Sequence, residues 1–142
     1  MEISEVRKRV REALDRAKRS AAERRSRTDE ASRHYDVFLT TIAVPLFRQI
    51  ANALRPEGYV FTVFTPGGSV RLMSDRSQED YIELTLETSG ADPHVLGHVS
   101  RARGRRVRES EVAIADGKPI AELTEDDVLE FVARELEPFL EH

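Results

Sequence analysis

The spacing of apolar positions divides the chain into three regimes. Residues 2–34 contain no Gly or Pro and are rich in Arg, Ala and Glu. Their apolar positions recur in alternating steps of three and four: Ile3, Val6, Val10, Ala13, Ala17, then Ser20. That step pattern predicts one long helix with a thin coiled-coil-like stripe. Five acid-to-base pairs support it at i,i+4: Glu5 to Arg9, Glu12 to Arg16, Asp15 to Arg19, Glu23 to Arg27 and Asp29 to Arg33. Past Ser20 the stripe fades into Arg24 and Arg27, so the seam spans about three heptads. Such a helix buries little area alone and requires a partner, either its own sheet or a second copy.

Residues 35–54 carry a broader apolar face: Tyr35, Phe38, Leu39, Ile42, Leu46, Phe47, Ile50 and Leu54. This is the expected core helix. Pro45 lies inside it, which predicts a kink or restart near Val44. Arg55-Pro56-Glu57-Gly58 reads as its end.

The period then drops to two. Strands are expected at 59–65, 69–74, 81–88, 94–103 and 106–115, an antiparallel meander. The first has apolar residues on both sides and reads as covered on both faces. Gly97 within the fourth marks a bulge or a close backbone approach. Pro119–Leu123 reads as a short edge segment. Thr124 with Asp127 three residues on has the form of a capping box, opening a last helix. Val128, Leu129, Val132, Leu136, Phe139 and Leu140 are its expected buried face. The fold class is therefore α+β. A charged helical arm (1–34) joins a core domain (35–142) of one further helix, about five antiparallel strands and a C-terminal helix on the sheet.

Charge sharpens this picture. Residues 1–35 hold 11 basic and seven acidic side chains, whereas residues 109–142 hold two basic and 11 acidic. A basic start and an acidic end attract each other, within the chain or between subunits. The basic residues are 19 Arg and three Lys, a bias expected of GC-rich bacterial coding. The chain has no Cys, which excludes disulfides, thiolate metal sites and cysteine nucleophiles. No unbroken apolar run approaches ~18 residues, so no membrane span is expected, and a cytoplasmic location fits. The closing Leu140-Glu141-His142 reads as the start of a purification-tag remnant, and His142 is set aside.

Five groups of residues could carry chemistry. Arg101, Arg103, Arg105, Arg106 and Arg108 gather at the tip of the last hairpin and could grip phosphates or an acidic protein. The helical arm adds Arg7, Arg11, Lys18 and Arg25 near one side. His94 and His98 have metal-ligand spacing for a helix, but residues four apart on a strand are about 13 Å apart and cannot share an ion. His34-Tyr35-Asp36 points in different directions along a helix. Phe61, Phe64, Met73 and the histidines could line a pocket between sheet and helices.

No catalytic or phosphate-loop motif is present. No cofactor, metal or catalytic residue is expected. The function expected is that of a non-enzymatic interaction or adaptor domain, self-associating as a homodimer through Ile3, Val6, Val10, Ala13 and Ala17. The alternatives are a nucleic-acid binder using the Arg hairpin and basic arm, and a small-ligand protein.

Overall fold

The computed structural model describes residues 1–90 and 92–141. Helix α1 spans Ile3–Phe38, continues through a π turn at Leu39–Ala43, and resumes as α2, Val44–Leu54. The five strands are β1 (Phe61–Phe64), β2 (Val70–Ser74), β3 (Tyr81–Glu87), β4 (His94–Arg103) and β5 (Arg106–Ala113). Helix α3, Glu125–Leu140, closes the described chain. The strands form one antiparallel sheet in sequence order. This is the α+β meander expected from the change in period.

No break separates residues 34 and 35, the boundary expected between arm and core helix, because α1 runs on to Phe38. The interruption comes at the π turn, with α2 restarting at Val44 as expected, and its cause is Pro45. Proline supplies no amide hydrogen and its ring crowds the carbonyl four residues back. Widening the helix just before it relieves both. Thr40 and Thr41 support the wide turn, donating to the Asp36 carbonyl at 2.9 Å and the Val37 carbonyl at 2.6 Å.

Strand alternation separates two faces of the sheet. Phe61, Val70, Leu72, Ile82, Leu84, Val95 and Val99 join the helices in one core with Tyr35, Phe38, Phe47, Ile50, Val128, Phe131, Val132 and Leu136. Phe64, Met73 and Leu96 point the other way and do not join that core. β1 is therefore an edge strand covered on one face, not on both as its composition suggested. Phe64 and Val60 are each more than 40% exposed.

Gly97 is a close approach rather than a bulge. β4 pairs continuously on both sides through it. A Cβ there would collide with the Phe131 ring, 2.8 Å from Cε2. Pro119–Leu123 is not a strand edge but a 3-10 turn at Ile120–Glu122, with Ile120 and Leu123 buried. The capping box forms as expected. The Asp127 amide donates to Thr124 Oγ1 at 3.2 Å, and the Thr124 amide to the Asp127 carboxylate at 2.9 Å. Lys118 also donates to Asp127 at 2.7 Å. That bond, with the Thr124 amide, holds the Asp127 carboxyl below its ordinary value.

By length and composition alone, one stretch meets the measure of a membrane span. The combined helix Ile3–Glu57 holds a window of 18 residues with mean hydropathy 1.4. Counting unbroken apolar runs overlooked it, because Arg48, Gln49 and Asn52 interrupt the run without lowering the average enough. In the fold Phe38, Phe47 and Ile50 of this region are buried against the sheet.

Candidate interaction surfaces

The N-terminal part of α1 is an arm without a support. From Met1 to Glu30 no residue is buried, and Ala31 is the first that is. The arm leaves the domain at the loop between β3 and β4, where Arg24, Arg27 and Thr28 face Thr88, Ser89, Gly90 and Pro93. Residues before that cleft extend roughly 30 Å from it at ~1.5 Å per residue.

The expected seam is wholly exposed along this arm. Ile3 is 70% exposed, Val6 45% and Val10 54%. Leu14 is 55% exposed and lies on the same side, a residue that strict three-four stepping passes over. Continued along the helix, the three-four steps lead through Ala17, Ala21, Arg24 and Thr28 to Ala31, Tyr35 and Phe38, which are buried. The arm's stripe therefore faces the same side as the surface that packs on the sheet. Of the five expected acid–base pairs one is closed, Glu5 to Arg9 at 3.0 Å.

The acidic C-terminal region touches α1 through the 3-10 turn at Ile120–Glu122. Among the described residues no ion pair joins α1 to α3. The outward face of α3 presents Glu125, Asp126, Glu130 and Glu137 around Leu129, itself 44% exposed.

At the far end of the sheet lies the arginine hairpin. Pairing places Arg101 opposite Arg108 and Arg103 opposite Arg106. Alternation sets all four on the face that carries α3, while Arg105 belongs to the turn. The arm leaves from the end where β4 begins, and the hairpin tip is where β4 ends. A ten-residue strand separates them, about 33 Å. The two basic groups joined in the nucleic-acid alternative do not form one continuous surface.

The open face of the sheet carries a polar row that the sequence reading missed. Phe64, Arg71, Glu83, His98 and Glu111 are successive cross-strand partners over all five strands. Arg71 donates to Glu83 at 2.9 Å, and its guanidinium lies 4.0 Å over the Tyr81 ring. His98 Nε2 is 3.1 Å from the Thr85 hydroxyl, and Nδ1 is 3.3 Å from Glu111. These distances fit Nδ1–H donating to the carboxylate and the hydroxyl donating to Nε2. Hydroxyl, imidazole and carboxylate in that order resemble a nucleophile relay. Yet β3 and β4 are paired on both edges, so their amides are engaged in the ladder and supply no oxyanion donors. The row ties strands together.

The remaining candidates do not converge. His94 instead contacts the Asp92 carbonyl at 3.0 Å, and His98 is four strand residues away. Among the described residues no group of three metal-ligating side chains gathers. Tyr35 is buried while Asp36 is exposed. The Tyr35 hydroxyl donates to the Gly68 carbonyl at 2.7 Å, and burial, then the negative charges of Glu83 and Asp36, push its pKa far up. Phe61 packs edge-on against Phe139 at 6.3 Å, whereas Phe64 and Met73 lie on the opposite face, so these three line no common pocket. His142 lies outside the described residues.

No protein-family model, curated protein or solved structure matches this chain.

Proposed function

We propose that the protein is a non-enzymatic interaction module that self-associates through its N-terminal helix. One observation carries this reading. A helix of 36 residues holds its first part away from the domain, with Ile3, Val6, Val10 and Leu14 aligned and unpartnered. Covering such half-exposed aliphatic side chains returns about 1 kcal/mol each. An isolated helix with so thin a stripe gains little from exposure, so the stripe is best explained as half of an interface. Charge agrees: the basic arm and the acidic outer face of α3 are unpaired with one another in a single chain and complementary between two chains.

Light scattering of the full chain tests this directly. A dimer is expected, and Val6→Glu with Val10→Glu should convert it to a monomer without lowering Tm of the core. A full-length protein that stays monomeric at high concentration would overturn the reading.

A further inference from the structure

The end of α3 and the arginine hairpin enclose a cleft. Its floor is apolar, made by Val99 of β4 and Pro138 and Phe139 of α3. Its wall carries Arg101 and Arg108 side by side, Glu109 and Glu135 also border it, and Ser110 adds a hydroxyl. The space is about 400 Å³, and Arg101, Pro138 and Phe139 also border an adjoining hollow of about 340 Å³. Both volumes lie in the range of small-molecule sites.

Like charges directly opposite on a sheet oppose folding. Here two such pairs are adjacent on one face. Among the described residues none of Arg101, Arg103, Arg106 or Arg108 has a carboxylate partner. The described acids nearby form no ion pair with these arginines. Glu109 and Glu111 alternate onto the opposite face of β5, the former still bordering the cleft and the latter directed toward His98. Asp80 accepts the Ala102 amide at 2.7 Å, and Asp75 accepts from Thr62 at 3.2 Å. Glu135, at the rim of the cleft, lies 3.9 Å from Arg134. The last turn of α3 does not explain the arginines either, since its Leu140 carbonyl accepts from the Tyr59 hydroxyl at 3.1 Å. Two guanidinium groups over an apolar floor suit an oxyanion carried on an apolar body.

The geometry points to a binding site for small amphipathic oxyanions, a phosphate or carboxylate on an aromatic or aliphatic group, held between Arg101, Arg108 and Phe139. The oxyanion takes donors from both guanidinium groups, and the apolar body rests on Val99, Pro138 and Phe139.

The test is an NMR titration of the full chain with phenyl phosphate, benzoate and inorganic phosphate. Saturable shifts of Val99, Arg101, Arg108, Ser110 and Phe139 amides are expected with phenyl phosphate or benzoate, the stronger of the two identifying the head group. Inorganic phosphate should bind about ten-fold more weakly, for want of an apolar body. Arg101→Ala with Arg108→Ala should weaken the organic anions by about ten-fold or more. Because these positions lie at the rim, Tm of the variant verifies that it folds. The conservative Arg101→Lys with Arg108→Lys should recover part of the affinity, as charge without the bidentate fork. A second arm measures stability alone: Arg108→Glu should raise Tm by giving Arg101 a cross-strand partner, yet abolish binding. Absence of saturable shifts would overturn the site, as would equal affinity for inorganic phosphate or an unaffected double Ala variant. A short DNA duplex that shifts only Arg103–Arg106, and binds where phenyl phosphate does not, would replace it with a phosphate-backbone surface.

Discussion

The two ends of the long helix follow one seam and meet opposite fates. Near its start the seam offers Ile3, Val6 and Val10, and all three are exposed. Near its end it offers Ala31, Tyr35 and Phe38, and all three are buried. Local periodicity is the same in both. What differs is the area presented. An aromatic-rich face as wide as that of Tyr35 to Ile50 can organise a sheet beneath it, whereas a single line of aliphatic and Ala positions cannot. Helix formation and burial are thus separate questions, and the first does not decide the second.

Core truncation should expose that contrast most strongly. Phe47 is fully buried, so Phe47→Ala is expected to cost about 3–5 kcal/mol in denaturant unfolding. Val10→Ala in the arm should change core stability by less than about 0.5 kcal/mol. Equal losses at the two sites would mean that the arm folds back on the domain.

Gly97→Ala comes next. Its Cβ meets the Phe131 ring, and overpacking of this kind costs about 1–3 kcal/mol. Adding Phe131→Leu should recover part of the loss in the same unfolding measurement. No recovery would place the cost in the strand rather than in the helix contact.

The cap of α3 gives a smaller effect than either core change. Thr124→Ala should cost about 1 kcal/mol. The pH dependence follows from Asp127, whose carboxyl is held below its ordinary 3.8 chiefly by Lys118. A lowered carboxyl favours the folded state while it is ionised. Its contribution is therefore complete above 3.8 and is lost as the pH falls below that value. Asp127→Asn should flatten this acid limb. An unchanged limb would assign the acid sensitivity to another carboxylate.

Much of the fold was legible in the chain because its signals are local. The strand at 94–103, the one expected at 106–115 that ends at Ala113, the cap at Thr124 and the disruption at Pro45 follow from alternation, hydroxyl chemistry and the missing proline amide. The errors share a cause. Whether β1 is covered on both faces, and whether 119–123 is a strand, depends on what packs against them, and a sequence states only what each residue prefers.

The candidate surfaces divide in the same way. The Arg cluster and the arm stripe could be named from spacing. That Arg101 stands opposite Arg108 above Phe139 could not, because it requires both the β4–β5 register and the path of α3. Nor could the row from Arg71 to Glu111, which joins residues of four strands.

The sequence by itself determined that this protein has a long polar helix, an antiparallel meander and an amphipathic C-terminal helix, since periodicity and backbone chemistry act over a few residues. Only the tertiary structure decided that, among the described residues, the arm forms no ion pair with the acidic α3, and that four arginines share one face. Those outcomes depend on register and on the order in which faces are covered, and both are properties of contacts between residues distant along the chain.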